Sequence, residues 1–246
     1  MRIIDSILAT ALLAGCTMSV PPVEDRPKGT KTYLYAQALY GEPVFDNDVE
    51  TFAARMAQTT PISDRKLFGF TSSALKRPTG GAESAALNSL ADQAVDGRDV
   101  VVAMLTTHGN VDVLAVKVPG KPVAGVSADA VANFLSPLNN DRQVIILQAC
   151  YSGSLIDELA HPNRIILTAA ADDRSSFGCR PNNTNTWFIE SLNTALAKGG
   201  SWASVFEDTK NIVRAKEESQ GIGRDAFSNP MFYIGSNMQH VWRSKI

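Results

Sequence analysis

Residues 99–106 read DVVVAMLT and residues 143–148 read QVIILQ. Both runs are short, almost unbroken in apolar residues and bounded by polar ones. Neither alternates as a strand with one wet face would, so each reads as a strand buried on both sides. Such strands belong to parallel sheets sheathed by helices on both faces. The flanking sequence supplies the rest. Residues 31–39 (KTYLYAQAL) are rich in β-formers and read as a first strand. Asp46-Asn47-Asp48 offers cap groups for a helix carrying Val49, Phe52, Ala53 and Met56. Residues 66–71 (KLFGFT) predict a second strand, and 84–95 a helix with Leu87, Leu90, Ala91 and Ala94 on one face. Gly109-Asn110 predicts a turn into residues 111–118, as a hairpin or a short excursion at the sheet edge. A helix over 128–135 starts near Ser127 and stops before Pro137; a short helix covers 154–159. Residues 164–169 (RIILTA) read as a strand, 186–198 and 202–216 as helices parted by Gly199-Gly200, and 231–235 (MFYIG) as the last strand. Alternating strands and helices predict an α/β fold: a three-layer α/β/α sandwich around a mostly parallel sheet.

The chain has 246 residues, 44% apolar and 20% charged, which excludes disordered, collagen-like and disulfide-framework classes. Twenty-three basic residues against 25 acidic ones leave a net charge of -2, so no basic excess points to nucleic acid. Residues 1–16 (MRIIDSILATALLAGC) carry Arg2, an apolar run too short to span a bilayer, and then Leu13-Ala14-Gly15-Cys16. That ending resembles the lipobox of bacterial lipoproteins, which implies a signal peptide over 1–16 and lipidation of Cys16. Residues 17–30 (TMSVPPVEDRPKGT), with Pro21, Pro22 and Pro27, predict a flexible tether; residues 31–246 form the body. Thr17 is not the aspartate that retains such proteins at the inner membrane, so the resemblance favours the periplasmic face of the outer membrane.

Functional groups in parallel sheets gather at the carboxyl ends of the strands. The run ending at Thr106 delivers Thr107-His108-Gly109; the run ending at Gln148 delivers Ala149-Cys150, 42 residues after His108. If the two strands are neighbours, an imidazole and a thiol share one rim. A thiol is a nucleophile as thiolate, which the amides of a following short helix favour; an adjacent imidazole can take its proton and return one to a leaving amine. The N–H groups of Gly109 and Cys150 could face an oxyanion. On spacing alone, a packed core cysteine with a surface histidine stands level with a reactive pair.

Three blocks in order change that balance: Thr107-His108-Gly109; Gln148-Ala149-Cys150-Tyr151-Ser152-Gly153-Ser154; and Leu167-Thr168-Ala169-Ala170 followed by Ser175-Ser176-Phe177-Gly178-Cys179. Together they resemble the legumain family of cysteine peptidases, which includes the catalytic subunit of the glycosylphosphatidylinositol transamidase and whose fold caspases share. The resemblance implies a caspase-like sheet, His108 as general base and acid, Cys150 as nucleophile, Gly109 at the oxyanion, and Gln148, Ser175 and Ser176 along the substrate pocket. It departs from the family at Gln148, where legumains have an acidic residue, and at residues 171–174 (ADDR in place of Asn-Pro-Arg-Glu). No basic pocket residue has a counterpart; Asn47 is nearest in place. A preference for asparagine therefore does not carry over, and Asp172 and Asp173 read either as partners for a basic P1 side chain or, more in keeping with loop acids, as solvated. Gly221-Ile222-Gly223-Arg224-Asp225-Ala226 fits a dinucleotide pattern but follows a helix rather than a strand and is rejected. Histidines stand singly, so no metal and no cofactor are expected, and Cys179 reads as a partly buried free thiol. The expected function is a cysteine endopeptidase of the bacterial envelope acting through a thioester on peptide or protein substrates. The rivals are a transpeptidase using the same pair and a non-catalytic binding lipoprotein.

Overall fold

The computed structural model describes residues 22–180 and 182–246; Cys16 and the expected signal peptide lie outside them. In chain order the elements are β1 (Thr32–Ala38), α1 (Pro43–Thr59), β2 (Ile62–Phe68), α2 (Ala82–Gln93), β3 (Val100–Thr106), β4 (Gly109–Asn110), β5 (Val113–Val116), β6 (Ala124–Ser127), α3 (Ala128–Leu135), β7 (Arg142–Gln148), α4 (Ile156–Leu159), β8 (Arg164–Thr168), α5 (Trp187–Lys198), α6 (Trp202–Ser219), β9 (Phe232–Ile234) and α7 (Gln239–Arg243). The main sheet runs β2-β1-β3-β7-β8-β9, parallel throughout except for β9 at one edge.

The strands divide their side chains between two cores, as period two demands. Val100, Val102 and Met104 of β3 join α1, α5 and α6 on one face. Val101, Ala103 and Leu105 join Leu87 and Leu90 of α2 and Val131 and Leu135 of α3 on the other. The three-layer α/β/α sandwich follows. The chain steps from β1 outward to β2, then returns past β1 to lay β3 on its other side. Strand order therefore reverses between β1 and β3. At such a switch point the connections leave in opposite directions and open a crevice at the carboxyl edge.

Several expectations change, among them the second strand, which lies at Ile62–Phe68 and not over 66–71. Helix α1 begins at Pro43, not after Asp48: proline occupies the first turn, where its missing N–H costs nothing. Asp46 and Asp48 lie inside the helix and spend their oxygens on distant partners, Asp46 on the amides of Phe70 and Ser72 and Asp48 on groups beneath the site. Gly109 and Asn110 form a strand instead of a turn; the reversal falls at Asp112, whose φ of 58° is left-handed. The excursion after β3 is a separate three-stranded antiparallel sheet. Finally, the distal half of the expected tether is docked. The Glu24 N–H donates to the Arg243 carbonyl at 2.9 Å, and its carbonyl accepts from the Lys245 N–H at 2.8 Å. Arg26 donates to Thr60 Oγ1 at 2.8 Å and Thr32 Oγ1 at 2.7 Å. These bonds hold residues 24–26 against the amino-terminal edge of the sheet.

Candidate active site

Strands β3 and β7 pair in register, Thr106 opposite Gln148, and the Thr107 N–H donates to the Gln148 carbonyl at 2.9 Å. His108 and Cys150 each come two residues later, on adjoining connections at one rim. The contact between these connections is at Gly109. A Cβ added there would lie 2.5 Å from the Cys150 carbonyl oxygen and 2.9 Å from Ala149 Cβ. Only a residue without a side chain lets the two backbones approach this closely.

Cys150 is half-buried, and among the described residues its thiol forms no disulfide. Its Sγ accepts from the Ser176 N–H at 3.3 Å and donates to the Ser176 carbonyl at 3.5 Å. Ser176 Oγ lies 3.6 Å away and accepts from Gln148 Nε2 at 3.3 Å. Gln148 is buried, and its Oε1 has no partner among the described residues. Of the three expected pocket residues, the structure brings Gln148 and Ser176 to Cys150, whereas Ser175 is exposed. The turn after Cys150 passes through Tyr151 at φ 57°, a left-handed conformation that costs a non-glycine residue about 1 kcal/mol or more. Bonds from the next loop hold it: Tyr151 N–H to Arg174 O at 2.7 Å, and Gly153 N–H to Ala170 O at 3.0 Å. The helix expected after Cys150 is a 3-10 turn, Ser152–Leu155, running into the single turn of α4. That is too short for the helix-amide effect expected from the sequence. Cys179 is half-buried, forms no disulfide among the described residues and packs on the α1/α5 core; burial pushes its thiol up to about 12.

His108 is held by two residues of the β1–α1 connection and one of the first turn of α1, none of them anticipated. Tyr40 and Phe45 meet the imidazole edge-on, with centroids at 4.7 and 5.0 Å and planes at 89° and 86°. Glu42 Oε2 lies 3.4 Å from Nε2. Among the described residues no hydrogen bond joins His108 to Cys150. The signal for Tyr40, Glu42 and Phe45 is positional: they follow β1 at the switch point, opposite the end of β3.

Asp48 ties the rim together from below. It is fully buried and accepts from Thr106 Oγ1 and Thr186 Oγ1 at 2.8 Å, and from Thr186 N and Asn185 Nδ2 at 3.0 Å. Burial pushes its carboxyl up to about 6, the desolvation outweighing four hydrogen bonds that pull the other way. One carboxylate thus pins the end of β3 and the start of α5 to α1.

Comparison with solved structures gives 227 matching chains. Among them, caspase-1 from Spodoptera frugiperda aligns over 84% of this chain and 89% of its own, at a TM-score of 0.57 and 12% identity, a likeness of fold. Comparison with curated proteins gives no match. The profile of the peptidase C13 family matches residues 81–223, a span running from the start of α2 through β3, the His108–Gly109 connection, β7, Cys150 and Ser176 to the end of α6. With the sheet, the rim and that match in agreement, the chain belongs to the peptidase C13 family, the legumain family of cysteine peptidases, whose substrates are peptides or proteins.

Proposed function

We propose that the protein is a cysteine endopeptidase in which Cys150 and His108 form the catalytic dyad. The observation that carries the reading is the in-register end of β3 and β7 with Gly109 pressed on the Cys150 carbonyl, since it sets imidazole and thiol on adjoining loops. A peptide laid across the rim has its scissile carbonyl above Sγ. Cys150 gives its proton to His108, and the thiolate attacks the carbonyl carbon. The N–H groups of Gly109 and Cys150 receive the developing oxyanion. The C–N bond breaks as the imidazolium returns the proton to the leaving nitrogen. A water then gives a proton to His108 and attacks the thioester, releasing the acid and the thiol. Gln148 and Ser176 line the pocket beside the nucleophile, and Ser175 its outer lip.

The same proposal places the enzyme in the bacterial envelope through a lipid on Cys16, supported by Leu13-Ala14-Gly15-Cys16. The test is cleavage of a peptide library by the purified protein. Cys150→Ala and His108→Ala each lower kcat/KM by about a thousandfold or more. Unchanged cleavage in both variants overturns the dyad. Radiolabelled palmitate incorporated by the wild type and lost in Cys16→Ser checks the anchor.

A further inference from the structure

A cavity of about 230 Å³ opens on the α2/α3 face, between the two sheets. That is larger than the apolar hole of roughly 150 Å³ that accepts a benzene ring. The main sheet side contributes Leu39 and Leu105, the small sheet Val116 and Val126, and α3 Phe134. His108, Cys150, Gln148 and Ser176 do not line it.

Two buried polar side chains line this apolar space, Gln37 at 6% exposure and Glu83 at 8%. The Gln37 Oε1 accepts from the Tyr35 hydroxyl, and among the described residues the Gln37 side chain makes no other hydrogen bond. Its Nε2 therefore keeps two donors without an acceptor. The Glu83 Oε2 accepts from the Thr79 and Gly80 N–H groups at 3.1 Å, and its carboxylate has lone pairs left for a further donor. The two groups stand at one end of the cavity. Burial, and after it the charge of Glu83, push up the very Tyr35 hydroxyl that Gln37 accepts from.

We infer that this cavity is an effector site for a small neutral carboxamide with an apolar body. The carbonyl oxygen of such a ligand accepts from Gln37 Nε2, its N–H donates to Glu83, and its body covers Leu39, Leu105 and Phe134. An amine of the same shape answers Glu83 only, leaves Gln37 unmatched and must shed the water around its charge. A carboxylate answers Gln37 but meets the like charge of Glu83. A hydrocarbon answers neither. The cavity is also tied to the rim. On either side of Val116 in β5, the Ala115 N–H donates to the His108 carbonyl and the Lys117 N–H donates to the Leu39 carbonyl, each at 2.9 Å. A ligand against Val116 thus touches the strand that holds the His108 backbone.

The experiment titrates the purified protein with phenylacetamide, phenethylamine and phenylacetate, three compounds that share one apolar body. Amide 1H–15N spectra and the thermal midpoint are the readouts. Phenylacetamide binds with a Kd on the order of 1 mM, as suits a ligand of this size, and about tenfold more tightly than either relative. It raises the midpoint and shifts the Ala115 and Lys117 amides, which flank the cavity wall. Gln37→Leu abolishes the preference for the amide. Ala130→Phe, which sets a ring on the exposed lip formed by α3, abolishes binding without disturbing the core. Equal binding of the three compounds, tighter binding of the amine, or shifts that avoid Ala115 and Lys117 overturns the proposal, as does binding that survives Ala130→Phe.

Discussion

Gly109→Ala tests the close approach on which the site depends. The backbone at Gly109 lies outside the left-handed region, so alanine is not strained by conformation. The whole penalty comes from what the new methyl meets. It would lie 2.5 Å from the Cys150 carbonyl oxygen, where ordinary contact begins at 3.4 Å, a deficit of roughly 0.9 Å. The obstacle is backbone in the turn just after β7, held by the Tyr151–Arg174 and Gly153–Ala170 bonds, so it cannot yield as a flexible side chain does. The His108 connection must move instead, away from the thiol. Overpacking of this kind costs about 1–3 kcal/mol, a fall in thermal midpoint of about 3–10 °C for a chain this size. A displacement of about 1 Å between reacting groups costs about a hundredfold in rate, equivalent to about 2.7 kcal/mol of transition-state stabilisation. Peptide cleavage and scanning calorimetry read the two effects. Gly81→Ala is the control, since nothing lies within 4 Å of its added Cβ. If Gly109→Ala keeps kcat/KM within about twofold of wild type at an unchanged midpoint, the two connections do not meet as described and the argument for the site fails.

Asp48→Ala leaves the Thr186 amide and the Asn185 side chain without their acceptor and should cost about 3 kcal/mol in urea unfolding. Asp48→Asn probes pH: the carboxyl binds its proton more readily in the folded chain, up to about 6, so its charge penalises folding. That penalty is absent below about 4, the ordinary carboxylate value, and complete above about 6. The stability of Asp48→Asn relative to wild type should therefore rise with pH across that window and then level off; a flat difference would mean the carboxylate is not desolvated. Iodoacetamide at pH 8 should modify Cys150 and spare Cys179, whose thiol is pushed up to about 12 by burial, and peptide mass spectrometry separates the two. Equal modification of both cysteines in folded protein contradicts the burial of Cys179.

What the sequence reveals here depends on how local each cause is. Strands β3, β7 and β8 are legible because a strand buried on both faces must be apolar at every position. Ser127 is legible as a cap because its Oγ accepts from the Ala130 N–H, three residues away. The start of α1 is misread for the opposite reason: Asp46 and Asp48 look like caps, but their partners lie more than 20 residues off. Strand β6, with sequence AGVS, has neither length nor pattern and exists because β5 offers it an edge. At the site, His108 and Cys150 are visible as strand ends. Tyr40, Glu42 and Phe45 are invisible because their partner follows another strand, and only the order of strands in the sheet brings them to it.

The docking of residues 24–26 has an orientational consequence. Arg26 is bonded at Thr32, where β1 begins, whereas the thiol and imidazole sit where β3 and β7 end. Seven residues of strand at about 3.3 Å each put roughly 20 Å of protein between the two poles. If Cys16 carries the lipid, the molecule stands on its membrane like a lamp on its base, with the cleft turned toward the surrounding fluid. Polypeptides arriving from the aqueous side meet that cleft first, and a bilayer-embedded segment would have to bend around the whole body to reach it.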